Sequence, residues 1–309
     1  MMENNKKGVF LVLLTAIISG FAVFINKLGV SGVDPFFYTY IKNAIAGVAV
    51  ISIIFLFKKR GEFKNLSKED KIKLFWIAFI GGAIPFLLFF KGLSMTAAFK
   101  AGFVHKTMFI YVGILALVFL KEKITKAMML GILSLAVGSF LFLQVKPQVL
   151  NLGDLYVLIA ALLWSAEIII SKKVLKNISG ITVALARLLG GSFFILAFLA
   201  LTGRMELFSA VNFGIVEWGI IGGVILALYN ITFYSGLKYI GATEATAIMT
   251  LAVPITGILS AVFLDVSLTG WQLFGTALIV LGIIFVSGVV RKALKLNKLL
   301  IKRKADELA

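Results

Sequence analysis

FYSGLKYIGATEATAIMTLAVPITGILSAVFLDVSLT, residues 233–269, decides how the whole chain is read. A near-copy lies 144 residues earlier, FFKGLSMTAAFKAGFVHKTMFIYVGILALVFLKEKIT at 89–125, and the two align without a gap. Gly92, Leu93, Ala98, Ala101 and Gly113 recur as Gly236, Leu237, Ala242, Ala245 and Gly257. The closing phrase, Phe-Leu then three residues, an apolar one and a threonine, ends at Thr125 in one copy and at Thr269 in the other. A fixed-offset repeat of this kind says that one unit was built twice.

Composition sets the solvent. Of 309 residues, 61% are hydrophobic and 15% charged, and the mean hydropathy is +1.05. A soluble domain is about half apolar and about a quarter charged, so this chain has too much apolar surface for one aqueous core and must face lipid. With no cysteine, disulfides, thiolate metal sites and cysteine nucleophiles are excluded. The formal charge of +17 sits in short clusters between apolar runs, a membrane pattern and not a nucleic-acid one.

The first residues, basic and then apolar, imitate a signal peptide, but no small-x-small site follows and nine more apolar runs do. The candidate spans are 8–26, 36–57, 74–93, 97–120, 127–145, 153–171, 181–202, 218–236, 244–264 and 270–290. Each is long enough to cross about 30 Å of hydrocarbon as a helix, and continuous runs of that length mean helices, not strands. With the N-terminus inside, the inner segments hold 23 Lys and Arg and the outer ones 4. This bias puts both termini in the cytoplasm.

The repeat then extends to whole halves. Gly8, Val12, Leu13, Ala16 and Ile25 recur as Gly153, Val157, Leu158, Ala161 and Ile170. Each half holds five helices, an odd number, so the second enters from the opposite side. The expected fold class is all-α integral membrane: ten transmembrane helices as two inverted five-helix repeats. The divisions are 1–145 (helices 1–5), 146–290 (helices 6–10) and a basic cytoplasmic tail at 291–309. Inverted repeats suit alternating access around a midplane site.

With its repeated stretch, LLWSAEIIISKKV at 162–174 and a cation in helices 2 and 7 (Lys42, Arg187), the sequence resembles the drug/metabolite transporter superfamily, EamA type. The resemblance covers nearly the whole chain. It departs at Ser19-Gly20, where half two has Trp164-Ser165, and at Ile110, where half two has Pro254. It implies a multi-pass transporter of the cell membrane working outward, with helices 5 and 10 at the periphery, in some members as an oligomer contact. A homodimer is therefore one partner expectation. The others are a small-molecule substrate and membrane lipids.

Ionisable residues inside spans are costly and default to functional candidates. Here they are Lys42, Lys100, His105, Lys106, Glu167, Arg187 and Glu244. At 1.5 Å per residue, Lys42 lies about 9 Å below the outer edge, and Arg187 at mirror depth from the inner edge. Glu167 is read as ending helix 6 on the inner side and Glu244 as opening helix 9 there. Glu167, Arg187 and Glu244 are accordingly candidates for an inner gate or proton coupling, with His105 as a second proton carrier. A static buried salt bridge is the competing account. Lys42, with Lys100 or Lys106, is the candidate holder of a substrate carboxylate or phosphate, against snorkelling or backbone bonding. Lys100 and Lys106 lie about 120° apart around their helix, so both cannot face one cavity squarely. Trp164, Tyr229 and Tyr234 complete the candidate substrate-binding set.

No metal or cofactor is expected, since a lone histidine lacks partners. No P-loop pattern is present, so ATP is not the direct energy source. The expected function is a secondary active exporter of a small organic metabolite, an anionic or zwitterionic solute such as an amino acid being the candidate cargo. The alternative is a flippase for a lipid phosphate or lipid-linked sugar. An intramembrane enzyme is a distant third, because no catalytic constellation is found.

Overall fold

The computed structural model describes residues 2–29, 33–56, 62, 66–96, 98–144, 151–263 and 267–287, and every regular element among them is helical. Among the described residues, eight helices are long and apolar enough to cross a membrane. They are α1 (Met2–Gly29), α2 (Pro35–Leu56), α3 (Lys68–Met95), α5 (Lys126–Leu143), α6 (Leu152–Val174), α7 (Gly180–Leu201), α8 (Phe213–Leu237) and α9 (Ala242–Phe263). Two apolar stretches are shorter: Val104–Leu120, the latter part of α4, and α10 (Gly270–Val286). The α4 region begins at Ala98–Lys106, resumes at Met108–Leu115 and closes in a π turn, Ala116–Leu120. The side chain of Lys100, the junction at 145–150 and the basic tail at 291–309 lie outside the described residues.

Helix starts follow local chemistry. Thr125 and Thr269, the repeated ends of the two copies, are N-caps: their hydroxyls accept from the backbone N–H of Met128 and Gln272 and so start α5 and α10. Asn151 and Asp154 form a reciprocal capping box for α6. Two helices begin earlier than hydropathy suggests. Ser67 caps α3 and Asn212 caps α8, so α3 starts at Lys68 and α8 at Phe213, not at 74 and 218. Polar first turns escape an apolar window, but a cap gives their N–H groups partners.

The helices pack in pairs that mirror the repeat. α1 lies on α8, and α6 lies on α3. A Cβ on Gly8 would meet Gly236 O at 3.1 Å, and one on Gly153 would meet Gly92 O at 2.8 Å. Gly8 matches Gly153, and Gly92 matches Gly236, so the two contacts are images of each other. α5 and α10 cross in the same way, with Gly131 against Gly282 and Gly138 against Gly275. In lipid, such close backbone approach supplies the packing that a hydrophobic drive cannot.

Three helices break near their middles. α3 passes through a π turn (Ile77–Gly81) and restarts at Ile84–Met95 with Pro85 in the first turn. α9 breaks at Thr250 and Leu251 and restarts at Ala252–Phe263, with Pro254 in the first turn. A proline there removes an N–H that had no intrahelical partner anyway. α4 breaks at Thr107, the position that aligns with Leu251, although it carries Ile110 where α9 has Pro254. The break therefore belongs to both copies, and the proline is not its sole cause.

Candidate functional site

At these breaks α1, α2, α3, α4, α6, α7 and α8 enclose a cavity of about 160 Å³. Its charged border is Lys42, Arg187 and Glu167, with His105 alongside, and its apolar border is mainly Phe86, Phe89, Phe90 and Trp164. A second space of about 40 Å³ continues from it, sharing Ser19, His105 and Tyr229 and adding Lys106, Thr246 and Thr250.

One backbone atom organises the charged wall. Gly81 ends the π turn of α3, and the helix is interrupted at Gly82 and Ala83 before it restarts at Ile84, so the Gly81 carbonyl is left at the break. That oxygen accepts instead from Trp164 Nε1 at 2.9 Å and from Arg187 Nε at 3.3 Å. Arg187 sits on a π turn of α7, Ala186–Gly190, and its Nη1 donates to Asn230 Oδ1 at 2.9 Å. Asn230 is held in turn by donating Nδ2 to Leu226 O at 2.7 Å.

Glu167 is 1% exposed, and its Oε1 accepts from Tyr234 Oη at 2.8 Å and from Ser171 Oγ. A Cβ on Gly81 would come within 2.3 Å of Glu167 Cγ, so a glycine is what makes room for this carboxylate. Glu167 lies seven residues before the end of α6 at Val174, well inside the helix and not at its end. A polar last turn, Ser171-Lys172-Lys173, made the helix look shorter in sequence. Lys172 instead extends it, donating Nζ to the carbonyls of Leu237 and Ile240, both at 2.6 Å.

Lys42 is 3% exposed. Its Nζ reaches Asn26 Oδ1 at 3.3 Å and lies over Phe90, Tyr38 and Phe86 at 4.9, 5.4 and 6.0 Å from the ring centres. Arg187 Cζ lies 5.5 Å from the same Phe86 ring. Counting depth from opposite edges separates Lys42 and Arg187 into different leaflets. The structure instead brings them to one ring. Each stands seven residues from its helix start, about 10 Å along a helix of about 33 Å, so both are within a side-chain length of the middle.

The other candidates fall in different places. Trp164 and Tyr229 line the cavity, and the His105 ring lies tilted against Trp164 and Phe89, with centres 5.0 and 5.2 Å away. Lys106 borders the smaller space. Tyr234 is fully buried behind Glu167, and Glu244, in the first turn of α9, does not border the cavity. Sequence reasoning missed Asn26, Phe86 and Phe90. The Phe86/Phe90 pair was signalled by its spacing of four after a mid-span proline, which puts both rings on one face. Among the described residues no group of three or more His, Asp and Glu is placed to hold a metal.

A membrane-embedded helical bundle with an internal cavity at its helix breaks is the architecture of a transport protein. The chain belongs to the EamA-like transporter family, whose model matches residues 6–144 and again 151–288. Among its relatives, the uncharacterized transporter YetK of Bacillus subtilis is 26% identical over 310 residues, covering 94% of this chain and 90% of that protein. The riboflavin transporter ImpX of Fusobacterium nucleatum is 29% identical over 266 residues, covering 79% and 85%. A solved crystal structure superposes with a TM-score of 0.75 at 16% identity, covering 92% of this chain and 98% of that one, a likeness of fold.

Proposed function

We propose that the protein is a secondary carrier of the cell membrane that exports a small anionic or zwitterionic solute, such as an amino acid, by alternating access. The observation that carries this reading is the pair of buried cations, Lys42 and Arg187, sharing Phe86 at the edge of one cavity with Glu167. Among the described residues neither cation is within 4.0 Å of a carboxylate oxygen. Two desolvated cations facing one buried carboxylate, Glu167, and in direct contact with none leave a positive balance that favours an anionic ligand between them. The broken helices supply freed backbone groups at the same level, as midplane carriers do.

The reading includes ten spans in two inverted halves, 1–145 and 146–290, with cytoplasmic termini. The mirrored glycine contacts and the aligned breaks of α4 and α9 support the halves, and the bias of 23 basic residues against 4 supports the orientation. The cavity suits a compact solute. About 150 Å³ accommodates benzene, so a ligand as large as riboflavin would require this space of about 160 Å³ to widen. The carrier reading predicts counterflow in proteoliposomes with a panel of amino acids, carboxylates, organic phosphates and amines. Exchange of acids that is lost in Lys42→Gln supports it; exchange of amines alone, unchanged in Lys42→Gln, overturns it.

One observation favours the second reading, a lipid-phosphate flippase. A groove of about 560 Å³ runs between α4 and α6 past Thr107, at the break of α4, and is walled by Leu152, Leu155 and Leu158. Scrambling of a fluorescent lipid phosphate without solute counterflow would select that reading.

A further inference from the structure

The surroundings of the Lys42 ammonium are not those of an ordinary anion-binding lysine. Three aromatic rings lie around it, Phe90, Tyr38 and Phe86, at 4.9 to 6.0 Å, and one amide oxygen, Asn26 Oδ1, is at 3.3 Å. The electron-rich faces of such rings attract organic ammonium ions, and several rings around one charge form a cage for them. This set is built, not incidental. Tyr38 precedes Lys42 by four residues and shares its helix face. Phe86 and Phe90 share a face of α3 in the same way, beginning one residue after Pro85. Tyr38 Oη also donates to Asn26 Oδ1 at 3.2 Å, which fixes both partners. The lysine stem runs over Gly222, where a Cβ would meet Lys42 Cδ at 3.1 Å and Tyr38 Oη at 3.0 Å.

We propose that Tyr38, Phe86, Phe90 and Asn26 form an organic-ammonium subsite of the transport cavity, and that the ammonium of Lys42 is its tethered occupant. Lys42 thereby sets specificity in two ways. It fills a place in the cavity wall where an alkylammonium group would be favoured, and it presents fixed positive charge to a solute that carries negative charge. Truncating the side chain at Cβ or Cγ opens the subsite. Alanine and serine remove the apolar stem together with Nζ and leave the rings of Tyr38, Phe86 and Phe90 in place.

The inference rests on the cavity being the transport site, but its test needs binding alone. Tetramethylammonium chloride is titrated calorimetrically into detergent-solubilised wild type, Lys42→Ser, Lys42→Ala and Lys42→Arg, at ionic strength balanced with sodium chloride. The expected result is saturable binding in Lys42→Ser and Lys42→Ala, about tenfold tighter than in wild type or more. Lys42→Arg, which keeps a cation in the cage, should show no gain, and adding Phe90→Leu to Lys42→Ala should abolish the gain. Equal binding by wild type and by whichever vacated variants elute as monodisperse protein would overturn the proposal, as would a gain that survives Phe90→Leu. Solute counterflow by the wild type is scored separately, so loss of the carrier reading and loss of the cage are distinct results.

Discussion

Lys42 and Arg187, 145 positions apart in the chain, rest on one aromatic ring: Nζ is 6.0 Å and Cζ 5.5 Å from the centre of Phe86. They are corresponding residues of the two copies. Their meeting brings two helices with different neighbours to a shared point. Phe86→Leu should weaken acid counterflow while leaving the fold intact, since it removes the ring that sets the spacing of the two cations and keeps an apolar side chain. Uptake rates beside a monodisperse elution profile would check this.

Arg187→Met should be more damaging than Arg187→Lys. Methionine leaves the buried Asn230 Oδ1 without its donor and Gly81 O with Trp164 Nε1 alone. Each unsatisfied buried acceptor costs about 1–3 kcal/mol. Lysine supplies one charge and no fork, so that variant should remain folded with reduced transport. Thermal unfolding in detergent, together with counterflow, separates the two effects.

Gly81→Ala should lower thermal stability by an amount typical of overpacking, about 1–3 kcal/mol, because its Cβ would lie 2.3 Å from Glu167 Cγ and 3.0 Å from Cδ. In a Glu167→Ala background the same change should cost much less, since the clashing atoms are gone. A double-mutant cycle measures this coupling. Additive effects would show that the carboxylate moves aside freely.

Glu62, between α2 and α3, binds the start of α7: its carboxylate accepts from Ser179 N at 2.5 Å, Ser179 Oγ at 2.6 Å and Thr182 Oγ1 at 2.5 Å. Partial burial pushes this carboxyl up, but those hydrogen bonds and the nearby Lys238 charge outweigh it and hold it below its ordinary value. A carboxyl depressed in the folded state contributes stability above its unfolded pKa and loses it as pH falls through the folded one. The stability gap between wild type and Glu62→Gln should therefore be full near neutrality, begin to close below about pH 4.3, and vanish under more acid conditions. Melting temperatures across that range would test it.

Much of the architecture was legible in the residues. Apolar runs of membrane length gave the helices because lipid leaves backbone groups no other partner. The repeat gave the caps, since Thr125 and Thr269 start equivalent helices. It also gave the glycines that let α5 cross α10 and α1 cross α8. Polar ends were misjudged because a cap or a lysine reaching a carbonyl extends a helix without adding hydropathy.

The site itself was only half legible. Lys42, Arg187 and Glu167 stood out by the cost of burying charge in lipid, a property of each residue alone. That Arg187 and Trp164 share the Gly81 carbonyl, that Tyr234 serves Glu167 and that Lys42 occupies an aromatic cage was decided by tertiary structure. Helical periodicity fixes the face on which a residue stands. The packing of helices distant in sequence decides which neighbour that face meets.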